Sequence, residues 1–319
     1  ANDGRPAWRA ILEDNAEVRT LAGQEVVVLG PGIDTQRVDP HPNAFLMILM
    51  VSGVPQDAPF EVDGRTFTVA DLVQGARLGY RRPQSAEEWR MAGWTLRALS
   101  LALPPGRDRW RTATGEEVSL FEEVDEAMAY LEHQHAFAGR LLDGAPEPLH
   151  KHRQYIYAHS CGGIHLLMAP LGHLVHPEVR ALYGDRARRQ VDILALRLRE
   201  ERRLYTAVAP GRESGAEVLV AIQRLKMFGH SLEALSDLGM LRAVPLEDAD
   251  FVRLDALREW TADAILDLDA VGAYAAMARL QEAQPQTFLD LLGDTAHAVR
   301  GLRISERLLA GRDDAEEGS

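Results

Sequence analysis

From Ser85 onward the apolar residues recur at three- and four-residue intervals, in segments separated by glycine or proline, and this pattern constrains the fold more than any other feature. A stripe of that period lies on one face of an α-helix, so most of the chain must fold as packed helices. Ser85-Ala-Glu-Glu88 forms a capping box ahead of Trp89, Leu96, Leu99 and Leu103, and Pro104-Pro-Gly106 stops that helix. After a short connection from Trp110 to Glu117, a second box, Ser119-Leu-Phe-Glu122, precedes Val124, Met128, Leu131 and Leu142. Helical spacing then covers 149–168, 177–207, 216–241, 246–284 and 286–309, with short joins. The expected architecture is mainly α: an antiparallel array of helical hairpins with a small mixed α/β N-terminal segment.

That N-terminal segment is residues 1–84. The sequence predicts a helix over 6–22, a strand at Glu25–Leu29, two strands about the Asp63-Gly64 turn, and a helix running from a Thr68 cap to Tyr80. A proline-rich stretch, 30–42, lacks regular spacing. The expected division is a mixed segment 1–84, a helical domain 85–310, and a disordered acidic tail 311–319.

Charge and composition exclude several function classes. The net charge is −13, and no Lys/Arg-rich run supplies the basic surface that displaces counterions, so nucleic-acid binding is not expected. Apolar residues make up 46 %, enough for a sizeable core. The longest apolar run, Ala44–Val51, stops well short of the roughly 18 residues that cross a bilayer, so no membrane span is expected. Ala1-Asn2-Asp3 without Met suits a chain cleaved on export, which is the expected route. Cys161, the sole cysteine, excludes an intrachain disulfide. Gly-x-Ser-x-Gly, P-loop and His-Glu-x-x-His motifs are all absent.

The main chemical signal is histidine. Eight of the eleven lie between His133 and His176, a window in which the few acidic and basic side chains nearly balance. Imidazole is the commonest metal ligand and titrates near neutrality, so such a cluster suggests metal binding or proton transfer. Helical geometry sorts the candidates. His133/His135 and His150/His152 are two apart and cannot chelate from one helical face, whereas Cys161 and His165, four apart, can. A thiolate and an imidazole suit Zn²⁺ or a similar transition metal. His159 and His230 are the further candidate ligands, and Glu233, one turn from His230, is the candidate base or orienting carboxylate. Asp294-Thr-Ala-His297 repeats that spacing with the carboxylate first, and Glu147-Pro-Leu-His150 repeats it around a proline.

At Cys161-Gly-Gly-Ile-His165-Leu-Leu and Gly229-His230-Ser-Leu-Glu233 the chain resembles bacterial proteins of the α/α-toroid superfamily, which includes terpenoid cyclases and prenyltransferase β subunits. The resemblance implies a helical barrel with zinc held by cysteine and histidine at its mouth, which here means Cys161, His165 and His230. An Asp-x-Asp-Asp motif, Gln-Trp repeats and a second cysteine are missing. Two functions stay open at this level. One is a helical metal-binding protein acting as a metal-dependent enzyme through its Cys/His site; the other is a non-catalytic helical interaction protein whose histidines bind no metal.

Overall fold

The structure, a computed structural model, describes residues 4–29, 41–145, 161, 163–208 and 214–317. It is mainly α, with three two-stranded antiparallel hairpins as its sheets among those residues. Two compact units divide the chain: unit 1 comprises Ala1–Leu131 with His165–Pro177, and unit 2 comprises Glu132–Ile164 with Glu178–Ser319. A cut after residue 84 marks a change in helix content rather than this division.

Unit 1 begins with α1 (Ala7–Asn15), β1 (Ala16–Leu21) and β2 (Gln24–Leu29). The helix expected over 6–22 therefore ends at Asn15, and its second half is a strand. The reason is the two-residue turn Ala22-Gly23, with φ of 50° and 76°, which pairs Leu21 with Gln24 and fixes the hairpin register. An apolar run then forms α2 (Ala44–Val51). The Asp63-Gly64 turn joins β3 (Pro59–Val62) to β4 (Arg65–Thr68) as expected. Asp71 accepts the Thr68 backbone N–H at 2.7 Å and starts α3 (Val69–Gly79).

The Ser85 box is formed as read: Ser85 Oγ accepts from Glu88 N at 3.2 Å, and Glu88 Oε2 accepts from Ser85 N at 3.1 Å, opening α4 (Ala86–Ala102). The connection expected at 110–117 is a hairpin, β5 (Arg109–Arg111) with β6 (Glu117–Ser119), and α5 (Leu120–Leu142) follows from the Ser119 cap. Most of the helix expected over 149–168 lies outside the described residues; its end is α6 (Ile164–Met168), followed by α7 (Leu171–Leu174).

α4 is buried without a break from Ala92 to Ser100, and its first six residues are more exposed. α7 approaches it so closely that a β-carbon at Gly172 would lie 2.1 Å from the Ser100 carbonyl oxygen. Glycine is needed there for space. The Leu103 carbonyl at the end of α4 accepts from His173 Nε2 at 3.0 Å, so one helix end is capped by a side chain from another helix.

Unit 2 holds the rest of α5 with α8 (Pro177–Val208), α9 (Ser214–Met240), α10 (Asp248–Ala270), α11 (Met277–Ala283) and α12 (Pro285–Glu317). The single helix expected over 246–284 breaks after Ala270, where Gly272 takes a φ of 73°. α12 runs through most of the stretch read as a disordered tail. α10 returns against α9, with Arg224 meeting Asp267 at 2.6 Å and Phe228 packed on Trp260. No helix of the described residues is long and apolar enough to cross a membrane.

Two glycines test this packing in opposite directions. Gly172→Ala must displace backbone and is expected to destabilise by about 1–3 kcal/mol. Gly293→Ala, inside α12 with open space at the β-carbon, is expected to gain up to ~1 kcal/mol in helix propensity. Thermal unfolding of both variants checks the contrast, and a neutral Gly172→Ala would contradict the contact.

Candidate functional site

α9 carries Lys226, His230, Glu233 and Asp237 at intervals of four, three and four residues, which places them in one stripe along the helix. α12 carries Asp290, Asp294, His297 and Arg300 in a matching stripe. The two stripes face each other. Lys226 Nζ lies 3.3 Å from Asp290 and 3.6 Å from Asp294. His230 Nε2 meets Asp294 Oδ1 at 3.1 Å, and His297 Nδ1 meets Glu233 Oε2 at 2.5 Å. Arg300 donates to both oxygens of Asp237, at 2.8 and 2.9 Å, and to Glu233 Oε1 at 2.6 Å. Partner numbers rise together along both helices, so α9 and α12 run parallel.

Small residues let the backbones come this near. A β-carbon at Gly229 would sit 3.0 Å from that of Ala298, and one at Gly301 would sit 2.8 Å from the Glu233 backbone nitrogen. Each glycine directly flanks a member of the cluster, His230 in one case and Arg300 in the other. The approach that brings the imidazoles and carboxylates together thus depends on the missing side chains beside them.

The centre of the cluster is nearly dry. Glu233, Asp294, Asp237 and His230 are almost fully buried, while His297 and Arg300 keep 22 % and 30 % of their side-chain surface exposed. Ionised carboxylates only accept, so His230 donates from Nε2 and His297 from Nδ1. That assignment makes Nε2 the basic nitrogen of a neutral His297. The two rings touch, with centroids 4.0 Å apart and planes tilted by 32°. The result is a pair of imidazole–carboxylate dyads in which each helix supplies one ring and the other ring's carboxylate.

The electrostatics follow from burial and neighbours. Burial, then the adjacent His297, hold the His230 pKa below its ordinary 6.5, against the opposing pull of Asp294 and Glu233. Burial also works against the Lys226 ammonium, but Asp294, Asp290 and Cys161 together outweigh it and raise its pKa. Cys161, partly exposed, lies within electrostatic range of Lys226.

The sequence-derived site residues separate as follows. Cys161 and His230 both belong to unit 2, and Glu233 joins His230 in the cluster as the carboxylate that holds His297. His165 belongs to unit 1, where its ring stacks on Trp94 at 3.9 Å; His41 stacks on Trp94 at the same distance. His159 lies outside the described residues, as do His150 and His152. Among the described residues, no group of three or more His, Cys, Asp or Glu side chains is placed to hold a metal ion. His135 and His173 are buried with individual partners, Gln190 Oε1 at 2.6 Å and the Leu103 carbonyl.

Sequence spacing marked His230/Glu233 and Asp294/His297 separately but did not join them, and it passed over Lys226, Asp237 and Arg300. A usable signal was present: polar residues in a helical stripe, repeated in a second helix and flanked by glycine. No protein family, curated protein or solved structure matches the chain.

A depressed histidine pKa makes stability pH-dependent. Between the ordinary value and the lowered one, the unfolded chain binds a proton that the folded His230 refuses. The contribution is complete above about pH 6.5 and is lost as pH falls through the window below it. His173, also lowered by burial first, adds in the same direction. Denaturation midpoints at about pH 7.5 and about pH 5.5 are expected to drop for the wild type and to drop less for His230→Asn. Equal drops would show that His230 does not carry the effect.

Proposed function

We propose that the chain is a helical enzyme working by proton transfer at the α9/α12 cluster on a small-molecule substrate. The observation that carries this reading is the reciprocal pair of imidazole–carboxylate dyads in ring contact. In this reading His297, the more exposed ring, exchanges the proton through Nε2. Glu233, itself held by Arg300, fixes the His297 ring and tautomer and stabilises the imidazolium as it forms. His230 with Asp294 supplies a second, drier dyad, whose low basicity keeps it neutral at physiological pH.

A substrate screen with ester, amide, glycoside and sugar-isomerisation panels tests this reading. Any turnover found is expected to fall by roughly 10²–10⁴-fold in His297→Asn, with the fold intact by circular dichroism. Glu233→Gln is expected to lower kcat more than it raises KM. Full activity in His297→Asn would overturn the assignment.

A second reading, the metal site that the toroid resemblance implies, rests on one placement: Cys161 lies in the same unit as His230 and within electrostatic range of Lys226, which is one turn from His230 on α9. In that reading Cys161 and His230, both in unit 2, bind Zn²⁺ or a similar ion, His159 is the further candidate, and Asp294 and Glu233 orient the rings. Elemental analysis of protein purified without a histidine tag separates the two readings. Proton transfer alone predicts no stoichiometric metal and activity that survives chelation. About one metal per chain, lost in Cys161→Ser, would establish the metal site instead.

A further inference from the structure

A cleft of about 280 Å³ lies in unit 2 between the second half of α5 and α8. Both carboxylates of its wall are already neutralised. Arg186 closes on Glu132 at 2.7 and 2.9 Å, and Arg189 reaches Asp143 at 2.6 Å. Arg140 lines the same cleft, yet among the described residues it makes no ion pair. Its guanidinium carbon stands 5.3 Å from the centre of the Phe137 ring, a contact with the guanidinium face that leaves the N–H edges free to donate. The wall therefore carries one positive charge in excess.

Gln190 adds a second donor. It is only 2 % exposed, and its Oε1 accepts from His135 Nδ1 at 2.6 Å. That bond uses the amide oxygen and leaves the amide nitrogen to find an acceptor of its own, which no described residue supplies. Unlike the unpartnered His173 Nδ1, which is sealed from solvent, the Gln190 nitrogen keeps accessible surface, and the cleft is the space that Gln190 borders. Ala136 and Ile193 supply an apolar wall beside these donors. One spare positive charge calls for a monoanion, whereas a dianion would set an unbalanced charge beside Glu132 and Asp143. At the roughly 30 Å³ that a water occupies in the liquid, the space suits a molecule of about nine heavy atoms. We propose that this cleft binds a small monocarboxylate, one oxygen accepting from Gln190 and the other from Arg140, with its hydrocarbon part against Ala136 and Ile193.

No residue of this wall belongs to α9 or α12, so the site is separate from the paired dyads. The test titrates the full chain with benzoate and with its neutral isostere benzamide, followed by ligand proton NMR, with inorganic phosphate as competitor. Benzoate is expected to bind at least about threefold more tightly than benzamide, and phosphate at equal concentration to leave it in place. Arg140→Met, at an exposed position, is expected to weaken benzoate about three- to tenfold and to leave benzamide unchanged. Gln190→Glu keeps the acceptor for His135 but replaces the donor by a carboxylate oxygen, and is expected to weaken benzoate more than about tenfold. If Gln190→Glu fails to fold, Arg140→Met still decides. Ala136→Phe, also exposed, is expected to weaken both probes, and His297→Asn to alter neither. Equal affinity for the two probes, or wild-type benzoate binding in Arg140→Met, folded Gln190→Glu or Ala136→Phe, would overturn the proposal. Displacement by equimolar phosphate, the mark of a mere counter-ion for Arg140, would do the same, as would loss of benzoate binding in His297→Asn.

Discussion

Ionised groups taken out of water need partners at hydrogen-bonding distance, and the contact of α9 with α12 meets that demand four times in succession. Lys226, His230, Glu233 and Asp237 each find a counterpart on the facing helix. Sliding one helix by a single residue would turn its stripe by about 100° and leave buried carboxylates without partners. A purely apolar seam would tolerate neighbouring registers far more readily. Polar matching therefore sets the register, and the glycines beside His230 and Arg300 set the separation.

α9 serves several neighbours at once, which explains why almost every residue from Met227 to Leu238 is buried. One stripe meets α12, and Phe228 packs against Trp260 of α10. A helix with so little solvent-facing surface cannot show a clean amphipathic pattern. Its polar stripe reads in sequence as interruptions of an apolar helix.

Local features were legible from the residues; their long-range consequences were not. The capping boxes at Ser85 and Thr68 and the Asp63-Gly64 turn follow from nearest-neighbour chemistry and form as that chemistry dictates. The strand at Ala16–Leu21 was obscured because its turn uses Ala22, a residue that seldom takes a positive φ. Histidine density between 133 and 176 drew attention to a window whose described members serve separate ends: His135 on Gln190, His165 on Trp94, His173 on the end of α4. The joined dyads come from two motifs 64 residues apart, and only the return of α10 brings them together. Spacing within a helix can nominate such motifs, but pairing them requires the tertiary path.

Parallel packing has an electrostatic consequence of its own. The backbone dipoles of α9 and α12 point the same way and run alongside each other through the contact, an arrangement in which they repel. α10, running against α9 and touching both helices, sets an opposed dipole beside them. Each cross-helix salt bridge also ties together two axes that their own peptide groups would push apart. The ionic ladder is thus a clamp on the backbone as much as a setting for imidazoles, and the protein's chemistry and its cohesion draw on the same side chains.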